Sequence, residues 1–218
     1  MTAMQQSHQS VRSLFLEGAQ VVCEAVADDA VAGRWTERSV LEDQTIGSVA
    51  AHVARGGVWV VDDYLDIEPP GGLPHIDSAV QYFIRFVESS TADQHRDIRD
   101  RGAQIAADGP AALAVMVRSR LESLATRLAD EAPDRVVLVA QGTVTMGLDE
   151  YLETRIVEQV VHLDDLARSI GRDPWPVPPA AQDLVIQVGC GIGLQRHGAT
   201  QMMRCLFRSQ LDPVLPVL

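Results

Sequence analysis

The chain contains no lysine, and all 18 of its basic residues are arginine. With 30 acidic residues the net charge is −12, which argues against nucleic acid as a partner, because neutralising phosphates requires a basic surface. Arginine donates better than lysine to planar carboxylates, so any anionic substrate would be held by guanidinium groups.

Cysteine is also scarce. Cys23, Cys190 and Cys205 are an odd number without Cys-x-x-Cys spacing, which argues against a disulfide framework and against a cysteine-rich zinc module. We interpret all three as buried, reduced thiols, as expected in a reducing compartment.

Long apolar runs are missing as well. No stretch of 18 or more apolar residues occurs, so a membrane span is not expected. The first residues, MTAMQQSHQSVRSLF, lack a basic segment followed by a long apolar run, which argues against a secretory signal. The sequence therefore predicts a cytoplasmic protein, monomeric or homodimeric, with neither a membrane nor a nucleic acid as partner.

Apolar residues recur at three- and four-residue intervals, which is typical of helices. The pattern predicts long helices near residues 7–32, 45–66, 109–132 and 149–170, one or two more within 78–107, and a last helix, whole or broken, within 181–209. The β-branched runs on both sides of Gln141 and Gly142 predict a short hairpin or an extended crossover. Four long helices with crossovers of unequal length indicate an all-α bundle.

Polar residues border the apolar stripe on two of these helices. On the fourth long helix, Glu158 and His162 stand four residues apart, so their side chains point the same way, about 5–6 Å apart at Cβ. On the second, His52 lies beside the stripe. Two imidazoles and one carboxylate suit a first-row divalent metal, and three protein ligands leave a position open for water or a thiolate. The alternative is a solvated Glu–His pair and a half-buried histidine.

Other residues share these two helical faces. Trp59 lies on the face of His52, and Tyr151 on that of Glu158, so both are candidate cofactor-binding residues. Asp165 is placed to orient the ligand His162, or to pair with Arg168 or Arg172. Gly56 and Gly57, one turn after His52, would let another backbone or a ligand come close. The sequence has no GxSxG elbow, no P-loop and no GxGxxG unit after a suitable strand.

Two segments carry a resemblance to a known family. TIGSVAAHVARGG and the later GTVTMGLDEYLETRIVEQVVHLDDLARSIG resemble the DinB-like superfamily, and within it the branch named for mycothiol-dependent maleylpyruvate isomerase, over about residues 7–172. The resemblance implies a four-helix bundle in up-down-down-up order with a divalent metal, often zinc, at one end of the core. It implies His52, Glu158 and His162 as the ligands; the sequence does not choose between zinc and nickel.

The resemblance also implies a chemistry. Family members use low-molecular-weight thiols such as mycothiol, and a metal lowers the pKa of the thiol to give a thiolate that attacks an electrophile. The isomerase carries a separate C-terminal α/β domain with a substrate-binding arginine. Here residues 173–218 predict a helical extension packed on the bundle of residues 1–172, and Arg196 and Arg204 are the candidate catalytic arginines.

These features favour a mycothiol S-transferase acting on an electrophilic small molecule. Three alternatives stay open. The chain could be a maleylpyruvate-type cis-trans isomerase or a non-catalytic metal-binding stress or accessory protein. It could also be a structural bundle in which the polar residues beside the apolar stripes form salt bridges, such as Glu158 with Arg155.

Overall fold

The computed structural model describes residues 10–89 and 92–208, without the side chains of residues 87–89, 92–95 and 141. Its helices are α1 (Val11–Val26), α2 (Asp29–Gly33), α3 (Ile46–Ala54), α4 (Val60–Leu65), α5 (Ala79–Ser89), α6 (Ala92–Ala106), α7 (Gly109–Asp130), α8 (Leu148–Ile170) and α9 (Pro179–Phe207). Its strands are β1 (His75–Ile76), β2 (Val136–Val139) and β3 (Val144–Gly147). The predicted all-α bundle with a minor hairpin is confirmed.

Helices α1, α3, α7 and α8 pack around one core. Each contributes apolar side chains that are fully buried, among them Phe15, Val22, Val49, Val53, Val117, Leu124, Leu152 and Ile156. Burying a side chain of this size stabilises the fold by about 1.5–3 kcal/mol, so this shared core holds the four helices together. No helix in the described part of the chain is long and apolar enough to cross a membrane.

The helix predicted over residues 7–32 is broken in two. Its residues 7–9 lie outside the described ranges, and α1 begins after Ser10, whose hydroxyl accepts a hydrogen bond from Ser13 N–H. The break falls at Asp28, because its extended backbone leaves the helix and its carboxylate caps α2 by accepting from Ala30 N–H at 2.8 Å. An aspartate prefers such a cap to a place inside a helix.

A small sheet lies beside the bundle, with the strand order β1-β3-β2. Strands β2 and β3 are antiparallel around the 3₁₀ turn Ala140–Gly142, which confirms the predicted hairpin. The two-residue strand β1 was not predicted, because it lies in a proline- and glycine-rich loop. It pairs parallel to β3 through His75 and Thr145, a contact between distant parts of the chain.

Helix α9 follows the proline-rich segment and is broken at Gly198, which adopts a φ of 78°. Its first half buries Ala181, Val188 and Ile192. A Cβ added at Gly191 would lie 2.7 Å from the Val80 side chain, so α9 approaches α5 closely. The division into a bundle of residues 1–172 and an extension of residues 173–218 remains a prediction.

Candidate metal centre and its cavity

The three predicted metal ligands come together at one end of the core. His52 projects from α3, and Glu158 and His162 project from α8 one turn apart. The Nε2 atom of His52 lies 3.2 Å, and that of His162 3.5 Å, from the same oxygen of Glu158, Oε2. One ligand atom from each residue lies within 4.8 Å of the others, and the two imidazole rings meet edge to face at 4.6 Å.

This spacing fits a small divalent cation. Zinc binds nitrogen and oxygen donors at about 2.0–2.1 Å, which places tetrahedral donors about 3.3 Å apart. The two contacts to Glu158 Oε2, at 3.2 and 3.5 Å, bracket that value, and the third pair of ligand atoms lies within 4.8 Å. Two imidazoles and one carboxylate are also the donor types that first-row divalent metals prefer. The residues present therefore fit the metal that the sequence predicts.

Asp165 lies where it can orient His162. Its Oδ2 atom accepts a hydrogen bond from His162 Nδ1 at 3.0 Å, while Nε2 of the same ring faces Glu158. A proton held on Nδ1 leaves the lone pair of Nε2 available for a metal. Of the alternative partners, Arg168 is 3.9 Å from Asp165, whereas Arg172 pairs with Asp28.

The titration of the cluster follows from these contacts. Burial works against the charge of Glu158, but hydrogen bonds from His162 and His52 hold its pKa well below the usual range. Burial likewise disfavours imidazolium at His162, but hydrogen bonds to Asp165 and Glu158 outweigh it and raise its pKa to about 9. When no metal is bound, the positive charge of protonated His162 therefore offsets the negative charges of Glu158 and Asp165.

A π-helical turn, Arg55–Trp59, joins α3 to α4 and begins three residues after His52. In such a turn each N–H bonds five residues back instead of four, as Val60 N–H does to the carbonyl of Arg55. Two carbonyls of the turn accept bonds from α8: that of Gly56 from Arg155 at 2.9 Å, and that of Gly57 from Gln159 at 2.7 Å. Two long side chains of α8 thus hold the turn against the site.

Gly57 of this turn has the predicted role of allowing close approach, whereas a Cβ at Gly56 would make only an ordinary van der Waals contact. A Cβ added at Gly57 would lie 3.0 Å from Gln159 Cγ, and one at Gly56 would lie 3.5 Å from Glu158 Oε2. The turn also changes the rotation per residue, so the α-helical face predicted for Trp59 does not continue from His52. Trp59 is buried and does not line the cavity beside the site.

A cavity of about 620 Å³ opens beside the cluster, and His52 and Glu158 form part of its wall. The rest of the wall combines aromatic rings with guanidinium groups. The rings are those of Tyr64, Tyr82, Phe83, Phe86 and Tyr151, and the guanidiniums are those of Arg55, Arg101 and Arg155. A ligand in this cavity would contact two of the three predicted metal ligands and cationic side chains together.

Arg155 forms a fixed part of that wall. Its side chain is buried, with the guanidinium carbon 4.8 Å from the ring centroid of Tyr151 and 5.7 Å from that of Tyr82. It donates to Thr154 Oγ1 and to the carbonyl of Gly56. No ion pair joins Arg155 to Glu158 among the described contacts, in contrast to the structural alternative, so Glu158 stays directed at the two imidazoles.

The other predicted site residues lie partly in the cavity wall and partly away from it. Tyr151 lines the cavity, as expected of a ligand-binding residue, whereas Arg196 and Arg204 are exposed on α9 and are not among the lining residues. Their catalytic role stays a prediction. Sequence reasoning missed Arg55 and Arg101; the position of Arg55, one turn after His52, was a usable signal, whereas Arg101 stands in a highly charged helix with no such mark.

The geometry agrees with a comparison of the sequence against known families. The model of the mycothiol maleylpyruvate isomerase N-terminal domain matches residues 16–167, more than half of the chain, and the match contains all three residues of the cluster. Searches of curated proteins and of solved structures returned no match.

Proposed function

The chain belongs to the mycothiol maleylpyruvate isomerase N-terminal domain family, part of the DinB-like superfamily, and on that basis we propose that it is a metal-dependent enzyme acting through a low-molecular-weight thiol. His52, Glu158 and His162 bind a divalent metal, for which zinc is the first candidate and nickel the second. The thiol is mycothiol, and the reaction is its S-transfer to an electrophilic small molecule.

One observation carries this proposal: the three ligand atoms lie within 4.8 Å of one another, and two of the three residues, His52 and Glu158, line a cavity of about 620 Å³. A structural metal site is closed by four protein ligands, whereas a catalytic site keeps a position for substrate. Three protein ligands, two of them in the wall of a cavity, match the catalytic type. A cavity of this size also accommodates a small molecule.

The residues of the chain then have separate tasks. A divalent metal in the cluster would lower the pKa of a bound thiol and so supply a thiolate at neutral pH. Asp165 holds the proton of His162 on Nδ1 and fixes the orientation of that ring. Tyr151 and the other aromatic side chains keep water from one wall of the cavity, and the guanidinium groups attract an anionic substrate.

Cis-trans isomerisation is the second candidate, favoured by the name of the family. Both reactions begin with attack of the thiolate on an electrophile. In isomerisation the thiol leaves again and is not consumed, whereas in S-transfer it stays attached to the product. A non-catalytic metal-binding protein would show neither outcome.

Elemental analysis of the purified protein tests the proposal. We expect about one divalent metal per chain in the wild type and its loss in His52→Ala, because two remaining ligands hold a metal weakly. His197→Ala removes an exposed histidine on α9 and is the matched control, which should keep its metal. A wild type without metal after reconstitution with zinc, or a His52→Ala variant with unchanged metal, would refute the assigned ligands.

An assay of the metal-loaded protein then separates the reactions. Mycothiol consumed together with an electrophile indicates S-transfer, and conversion of maleylpyruvate without thiol consumption indicates isomerisation. Metal binding with neither activity across a panel of electrophiles would favour an accessory role.

A further inference from the structure

Two arginines of the cavity wall form no ion pair with any side chain that the structure describes. Arg55 lies in the π-helical turn and Arg101 on α6, both half-buried. Within the described part of the chain neither makes a hydrogen bond or an ion pair. Burial and the nearby charge of Arg101 lower the pKa of Arg55, so two positive charges face the same space.

Two carboxylates near the cavity, those of Asp63 and Glu158, are already engaged by other side chains. Asp63, whose charge attracts Arg55, lies 3.2 Å from Arg120 on α7. Glu158 is held by the two imidazoles. A half-buried charge without a partner is unfavourable, and an anion placed between Arg55 and Arg101 would remove that cost. The cavity is therefore suited to a ligand with an acidic group.

The wall also specifies the body of that ligand. Tyr82 stacks at a tilt on Phe86 with ring centroids 4.7 Å apart, and Tyr64 lies 5.5 Å from Tyr151. Ile98 and Ile105 of α6 complete the apolar surface. A small dicarboxylate would leave these rings in contact with water and its second charge against apolar atoms. A planar apolar body would cover them instead.

We propose that the cavity binds an amphiphilic monoanion, namely an aromatic or conjugated carboxylic acid whose carboxylate lies between Arg55 and Arg101 and whose planar body lies against the aromatic wall. The inference that this acid is the electrophile of the reaction rests on the proposed function. The binding of the acid in the cavity involves no metal, so it is tested without one.

Titration calorimetry on chelator-treated protein tests the site with three probes. Cinnamate has the ring, the conjugated chain and one carboxylate; cinnamamide has the same shape without the charge; fumarate has two charges and no ring. We expect cinnamate to bind roughly tenfold more tightly than either of the others, because each lacks one of the two contacts. Equal binding of cinnamamide, tighter or equal binding of fumarate, or no binding of cinnamate would overturn the proposal.

Variants locate the carboxylate. Arg101→Gln and Arg55→Gln should each weaken cinnamate roughly tenfold and leave cinnamamide unchanged, because only the charged contact is lost. Arg118→Gln, an exposed arginine on α7 outside the cavity, is the matched control and should bind cinnamate like the wild type. If Arg55→Gln does not fold by circular dichroism, Arg101→Gln decides, and unchanged cinnamate affinity in that variant would overturn the assignment.

This experiment is independent of the metal analysis. Cinnamate binding by a protein that never holds a metal would keep the subsite and reject the proposed function. Metal binding without cinnamate binding would keep the function and reject the subsite.

Discussion

Asp62 and Glu158 both lie among basic side chains of the same bundle, but their surroundings differ in how many donors they receive. Asp62, on α4, is 4% exposed. Its Oδ2 accepts from Arg120 at 2.7 Å, and its Oδ1 accepts from Arg127 at 2.7 Å and from Ser123 at 3.2 Å. Both carboxylate oxygens are thus occupied by donors from one helix, α7.

At Glu158 the two contacts converge on one oxygen, Oε2, and both come from imidazoles. The side chains that contact each carboxylate determine whether the cluster can bind a metal. A guanidinium has no lone pair and does not lose its proton, so the cluster at Asp62 can only be an ion pair. An imidazole that loses a proton turns from a donor into a metal ligand. The Asp62 cluster therefore joins α4 to α7, whereas the Glu158 cluster can exchange a proton for a cation.

The largest expected effect concerns pH. Because the pKa of His162 is raised to about 9, a metal must displace a proton from this residue at any lower pH. Apparent metal affinity should rise about tenfold per pH unit, or about a hundredfold from pH 7 to pH 9, and then level off. Competition with a chromophoric chelator at several pH values measures it. A flat profile across this range would contradict the assigned proton.

The same shift determines the stability of the metal-free protein. The folded pKa of His162 lies above the ordinary value of 6.5, so its contribution to the free energy of unfolding is complete below pH 6.5 and is lost as the pH rises through about 9. The metal-free protein is thus expected to lose stability over the range in which metal affinity increases.

Removing the Asp62 cluster should lower the stability of the protein and leave its metal binding unchanged. Asp62→Ala deletes three hydrogen bonds to a buried carboxylate and should lower the free energy of unfolding by about 2 kcal/mol, since both arginines can still reach water. Urea unfolding at pH 7 measures this, and metal content should stay at the wild-type level. A loss of metal in this variant would remove the distinction between the two clusters.

Asp63→Ala is the control for that experiment. Asp63 is the more exposed neighbour, and its single contact to Arg120 should be worth less than about 0.5 kcal/mol. Acid provides a second test. Burial disfavours the charge of Asp62, but hydrogen bonds from Arg120, Arg127 and Ser123 lower its pKa below the ordinary 3.8. Its stabilisation is therefore present above pH 3.8 and is lost as the pH falls further.

The smallest expected effect concerns Asp165, which orients His162 in the Glu158 cluster. Asp165→Asn keeps the shape of the side chain but weakens the acceptor of His162 Nδ1–H, and metal affinity should fall about tenfold. Asp164→Asn changes the exposed neighbour and should leave affinity unchanged. Equal affinities of the two variants would show that Asp165 does not tune the centre.

Much of this arrangement could be predicted from the sequence. The apolar periodicity predicts the long helices, among them α3, whose first turn is capped by Thr45 Oγ1, which accepts a hydrogen bond from Ser48 N–H at 3.1 Å. Periodicity alone left open whether His52 approaches Glu158, because it contains no information on how two helices pack. The family resemblance supplied that pairing, and their 3.2 Å contact agrees with it.

Other features could not be predicted, because they depend on distant residues. Nothing local distinguishes the segment Arg55–Trp59 from an α-helix, and the donors that bind its carbonyls, Arg155 and Gln159, lie about a hundred residues later. Arg101 likewise reaches the cavity wall only because α6 packs on α3. Strand β1 depends on its pairing with β3.

The π-helical turn corresponds to a single-residue insertion in an otherwise α-helical segment. Deleting one residue from Arg55–Trp59 would restore regular α-helix and rotate α4 by about 100° relative to α3. Such a deletion would leave His52 on α3, but it would remove the acceptors of Arg155 and Gln159 and turn Asp62 away from α7. In an alignment of relatives, those with a one-residue gap at this point are expected to have lost both side chains together, so that the gap and the two substitutions form one heritable unit.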